Sequence, residues 1–112
     1  MLIKPIESTG GFMEQVIQNE KQTLIAPGRD VVASYAQELR RNLWSLIEEG
    51  VTDVTIDLAR VQMIDSIGLG VLIAAHNSLK KKQGRLAIVN VSKEILGLLK
   101  TMRLDRHFDI KE

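Results

Sequence analysis

Residues 53–72 read Asp53-Val54-Thr55-Ile56-Asp57-Leu58-Ala59-Arg60-Val61-Gln62-Met63-Ile64-Asp65-Ser66-Ile67-Gly68-Leu69-Gly70-Val71-Leu72. The first six alternate: Val54, Ile56 and Leu58 fall on one face, as in a half-buried strand. A loop follows over 59–64. From Ser66 the apolar residues Leu69, Leu72, Ile73 and Leu79 return at helical spacing, with Ala75 alongside. Asp65 or Ser66 suits the N-cap, because a short oxygen-bearing side chain accepts the free amides of a first turn. Lys80, Lys81 and Lys82 in the last turn complement the helix dipole, and Gly84 stops the helix. The stretch is therefore strand, loop, helix, the opening half of a parallel crossover.

Working outward, the pattern repeats. Upstream, Val32, Ala36, Leu39, Leu43, Leu46 and Ile47 form an amphipathic stripe that Gly50 closes. Ser34 with Gln37 has capping-box spacing, and Asp30 is a rival cap. Before it, residues 14–18 and 22–26 flank a polar break and suit a hairpin, ended by Pro27 and Gly28. Residues 1–12 finish in the turn-prone cluster Ser8, Thr9, Gly10 and Gly11; they read as a short lead-in strand or a loose arm. Downstream, 86–89 is a strand, and Ser92 caps a third helix carrying Ile95, Leu98, Leu99 and Met102. Residues 108–110 form a short final strand. Alternating elements predict an α/β fold: a small mixed β-sheet of four to six strands, with helices packed mainly on one face.

Composition sets bounds. The chain has 112 residues, 45% hydrophobic and 26% charged, which suits one globular domain over 1–112. A net charge of +1 and 4% aromatics give no bias toward nucleic acid and no base-stacking surface. With no cysteine, thiol catalysis, disulfides and cysteine-bound metal are excluded. No apolar run approaches the roughly 18 residues of a membrane span, and the first eleven residues lack a secretory core. The expected address is cytoplasmic.

The site reading centres on 65–70. A helix N-terminus stabilises an added anion, so a phosphate on Ser66 would gain from the dipole while Asp65 repels it. Gly68 and Gly70 leave the first turn bare, so another surface can approach the backbone. The plain alternative is that D-S-x-G here is only a cap and a packing site.

The second part of the quoted stretch, D-L-x-x-V-x-x-I-D-S-x-G-L-G-V-L, resembles the signature of STAS domains, anti-sigma factor antagonists and related modules. The likeness runs over about 16–110 in the same element order. It implies a regulatory binding module and not an enzyme. In the antagonist branch, the serine after the aspartate is phosphorylated by an anti-sigma factor that is itself a GHKL-type serine kinase. The unphosphorylated antagonist sequesters that kinase, and a metal-dependent serine phosphatase resets it. Ser66 matches the acceptor and Asp65 the aspartate before it. Gly68, Leu69 and Gly70 match the close-approach surface, with Gly28, Arg29 and Asp30 as the neighbouring loop. The family often has Ser or Thr where this chain has Ile67, which makes Ile67 a partner contact or a core residue. Pro27-Gly28-Arg29-Asp30 also departs from the usual G-E-L-D. The runner-up role is a non-switching STAS scaffold or adaptor, as in stressosomes or lipid-transport complexes; a small nucleotide-binding protein is a further alternative.

Other chemistry finds little support. His76 and His107 lack ligand spacing, and His76 reads as a helix-face residue, so no metal or other cofactor is expected. Ser66, His76 and Asp57 compose a triad only on paper, without a G-x-S-x-G elbow. Gly68-Leu69-Gly70 has Ile73 where a dinucleotide fingerprint needs a third glycine, and no phosphate-binding loop is present. Lys80 to Lys82 with Arg85 read as a solvated helix end, and Trp44 as a core-edge residue.

Overall fold

The computed structural model describes the backbone of residues 2–8, 11–19 and 21–111, and the side chains of 21–111. Its elements run β1 (Leu2–Ser8), β2 (Gly11–Asn19), β3 (Gln22–Pro27), α1 (Ala33–Glu48), β4 (Asp53–Asp57), α2 (Ser66–Lys81), β5 (Arg85–Val89), α3 (Lys93–Thr101) and β6 (Asp109–Lys111). They form one six-stranded sheet in the order β1-β2-β3-β4-β5-β6. The first three strands are an antiparallel meander, and β3 to β6 are parallel. The lead-in segment is thus a strand and not a loose arm, paired with β2 from Leu2↔Ile17 to Ser8↔Gly11. Thr9 and Gly10 of the turn-prone cluster lie outside the described residues.

Register stacks the core. Thr23, Val54 and Leu86 lie side by side across β3, β4 and β5, as do Ile25, Ile56 and Ile88, and all six are buried. Leu39 and Leu43 of α1, Leu72 and Leu79 of α2, and Leu99 of α3 are each 0% exposed. Burying each such side chain contributes about 1.5–3 kcal/mol. The alternate residues Leu24, Thr55, Ala87 and Val89 are half-buried on the helix-free face. Helices on one face is the predicted arrangement. Pro27 ends β3 because it has no amide for the ladder: pairing with β4 stops at Ile25↔Ile56, while β2 still matches Met13↔Pro27.

Two helix boundaries differ from the sequence reading. Helix α1 uses neither the Ser34–Gln37 box nor Asp30; Val32 stands at its N-cap and provides no side-chain bond. The left-handed residue closing α2 is Gln83 (φ 62), not Gly84. The amide of Gln83 reaches Lys80 O and that of Gly84 reaches Leu79 O, which satisfies the last carbonyls. Gly84 is required for another reason: a Cβ there would lie 2.0 Å from Thr52 O. Lys82 Nζ donates to Ile47 O at 3.1 Å, and Arg85 pairs with Asp109 at 3.8 Å, so the expected solvated patch is partly engaged. Trp44 is half-buried with Arg40 over its ring at 5.2 Å, at the core edge as read.

Candidate functional site

Two loops meet at the carboxyl end of the parallel strands: 28–32, between β3 and α1, and 58–65, between β4 and α2. Val31 pairs with Ile64 as an isolated parallel bridge. The Val31 amide donates to Met63 O at 3.0 Å, and the Asp65 amide to Val31 O at 3.2 Å. Asp30 Oδ1 accepts from the Gln62 and Met63 amides at 2.9 and 3.2 Å. Asp30 therefore braces the neighbouring loop instead of capping α1.

Asp65 joins the two helices. Its Oδ1 accepts from the Gly68 amide at 2.8 Å, so of the two candidate caps, Asp65 and Ser66, α2 uses Asp65. Its Oδ2 accepts from the Ala33 amide at 2.9 Å, supplying the cap that α1 lacks in its own sequence. The Gly68 amide foremost, then the Ala33 amide, hold the Asp65 carboxyl below the usual carboxylate range. Such a group stabilises the fold above its unfolded pKa of about 3.9, and that contribution is lost as pH falls through the lower folded value. Asp65→Asn leaves one acceptor oxygen for two amides. We expect a lower urea midpoint at pH 7 and a flatter loss of stability below about pH 4 than in the unsubstituted chain. Equal midpoints across that range would refute the double cap.

With Asp65 occupied as the cap, Ser66 is left as the first residue of α2, exposed, and takes part in no capping bond. Ile67 beside it is 54% exposed and Met63 before it is 58% exposed. Ile67 thus points outward, not into the core. Gly70 is exposed, and a Cβ on it would touch nothing within 4 Å. Gly68 and Leu69 turn inward and present no outer surface. Leu69 is 2% exposed, and Gly68 is bare because Val31 O occupies the place of its Cβ, 2.0 Å away. Gly28 is exposed; Arg29 and Asp30 are half-buried. The Arg29 guanidinium lies 5.2 Å over the Tyr35 ring, a phenol pushed up to about 12, chiefly by burial.

A triad does not form. Ser66 and His76 are separated by about 15 Å of helix rise, and Asp57 Oδ1 is engaged by the Ala59 amide and Asn90 Nδ2, both at 2.9 Å. Among the described residues, no group of three or more His, Cys, Asp or Glu could hold a metal ion. No described helix is long and apolar enough to cross a membrane. Met63 and the Asp65–Ala33 bond escaped the sequence reading. Met63 lacks periodicity in its loop, and the bond spans 32 positions.

Fold and site together define a class: a mixed-sheet α/β domain presenting one serine at a helix start, on a platform of two interlocked loops. The STAS domain family model matches residues 15–112, and the chain belongs to that family. It is 33% identical over 95 residues to the anti-sigma-B factor antagonist of Bacillus subtilis (strain 168), covering 85% of this chain and 86% of that protein. Its fold matches an anti-sigma factor antagonist from Mycobacterium paratuberculosis (TM-score 0.75, 18% identity, 88% of this chain and 85% of the other). It also matches the Bacillus cell fate determinant SpoIIAA in its phosphorylated form (TM-score 0.72, 17% identity, 88% and 89%).

Proposed function

We propose that this chain is an anti-sigma factor antagonist whose Ser66 is the phosphorylation switch. The observation that carries the reading is an exposed Ser66 at the start of α2, freed from capping by Asp65 and set between exposed Met63 and Ile67. It is a single, non-enzymatic STAS domain acting in the cytoplasm. Its partner is an anti-sigma factor serine kinase of the GHKL type, and a metal-dependent serine phosphatase restores the free hydroxyl. The docking surface consists of Ser66, Ile67, Gly70 and Met63, with Asp65 shaping it and Gly28, Arg29 and Asp30 at its rim. Gly68 and Leu69 act from beneath, one admitting the Val31 carbonyl and the other anchoring α2 in the core. When Ser66 is uncharged, a partner closes over the apolar pair. A phosphate adds about −1.5 to −2 charges at that point, beside the Asp65 carboxylate.

The test is phosphoryl transfer from ATP by the anti-sigma factor kinase of the same genome, with the modified position mapped by mass spectrometry. We expect one phosphate on Ser66 and none on Ser66→Ala. Equal labelling of Ser66→Ala would remove Ser66 as the acceptor. Tight kinase binding without any transfer would favour a scaffold role instead.

A further inference from the structure

The last strand is weakly secured. It has three residues, lies at the sheet edge and pairs only with β5, through Ala87↔Asp109, Ile88↔Ile110 and Val89↔Lys111. Its anchor is the residue before it, Phe108, which is 4% exposed. The Phe108 ring meets His76 of α2 edge-on, with centroids 5.5 Å apart and planes at 75°. The His107 ring lies 6.3 Å from His76 at 77°. His76 itself is 8% exposed, so it occupies the buried side of α2, and its Nδ1 is buried with no hydrogen-bond partner.

A neutral imidazole fits this site as an aromatic spacer. A proton on Nδ1 would create a buried cation and an N–H with no acceptor. The charged groups that act on the ring are Lys80 on the next turn of α2 and His107 from the C-terminal segment, and both oppose a second positive charge. β5 buries Leu86 and Ile88 beneath the helices, while its Arg85 is exposed and pairs with Asp109 of β6. α1, the other element packed on α2, buries only apolar side chains and Tyr35.

We propose that His76 is a proton-operated latch on the C-terminal strand: neutral, it holds Phe108 and β6 to the sheet; protonated, it releases them and uncovers the edge of β5. Burial, then Lys80, then His107 hold the imidazole below the ordinary histidine value. The sign follows from linkage. The contribution of His76 is complete above the unfolded value of about 6.5 and is lost as pH falls through the lower folded value. The freed edge of β5 presents unpaired N–H and C=O groups, to which an extended segment of another chain can add.

The test is NMR on the full chain between pH 7.5 and about 4.5, following the two imidazoles and hydrogen exchange at the β6 amides. We expect His76 to titrate below the free histidine value, and β6 protection to drop about fivefold or more in step with it. In His76→Phe, which keeps the aromatic contact without the proton, protection should stay within about twofold over the same range. His76→Gln serves as a second non-titrating variant should the larger ring not fit. The latch is overturned if His76 titrates at or above the free histidine value. It is equally overturned if β6 protection in the unsubstituted chain, corrected for intrinsic exchange, is the same at both ends of the range.

Discussion

Gly68→Ala is expected to destabilise the domain by about 3 kcal/mol, the upper part of the range for overpacking a closed core. The added Cβ would sit 2.0 Å from Val31 O, 2.8 Å from Val31 C and 2.8 Å from Val31 Cγ1. Two of those atoms are backbone, so no rotamer change relieves the contact. The 28–32 segment must move away from α2, yet it is pinned there by the Val31–Met63, Asp65–Val31 and Ala33–Asp65 bonds. Those bonds should weaken together. Gly70→Ala is the control: its Cβ meets nothing within 4 Å, and alanine favours an exposed helical position by about 0.5–1 kcal/mol. Urea unfolding of both variants checks the pair. If Gly68→Ala unfolds at the same midpoint as Gly70→Ala, the close approach of the two loops is wrong.

A phosphoserine installed at position 66 should weaken binding to the anti-sigma factor, the proposed kinase, about a hundredfold, or ~2.7 kcal/mol. The argument is one of desolvation. Met63 and Ile67 are 58% and 54% exposed, and in the proposed docking covering them is the favourable part. A partner that covers them also strips water from the residue between them. A neutral hydroxyl tolerates that; a phosphate beside a carboxylate that already serves two helices does not, and an unpaired buried charge costs several kcal/mol. Ser66→Asp carries less charge and should weaken binding less than phosphoserine does. Titration calorimetry of the three forms gives the ranking directly. Binding of the phosphorylated form as tightly as the free form would sink the switch while leaving the fold intact.

Much of this is legible in the sequence, because it depends on local periodicity. Val54 and Ile56 alternate and are buried; Leu69, Leu72 and Leu79 recur on one side of a helix and are buried. The Ser92 cap, the start of α2 at Ser66 and a cap from Asp65 or Ser66 are readable from residue type alone; the structure selects Asp65. The start of α1 was not. Two candidate caps, Ser34 with Gln37 and Asp30, lie close by in sequence, and the chain uses a third, Asp65, from the far side of a crossover. Asp30 is a good capping residue in isolation, but with the two loops side by side its carboxylate meets the Gln62 and Met63 amides instead.

The amino-acid order alone determined the strands and helices from residue 14 onward, that the sheet is mixed, and that a serine stands at a helix start. Those follow from side-chain period and capping chemistry, which act over a few residues. Only the tertiary structure decided which of Ser66, Ile67, Gly68, Leu69 and Gly70 face outward, that one carboxylate holds two helix ends, and that His76 lies against Phe108. Each of these depends on elements far apart in the chain coming into contact. A residue's own neighbours in sequence carry no record of what the fold will later press against it.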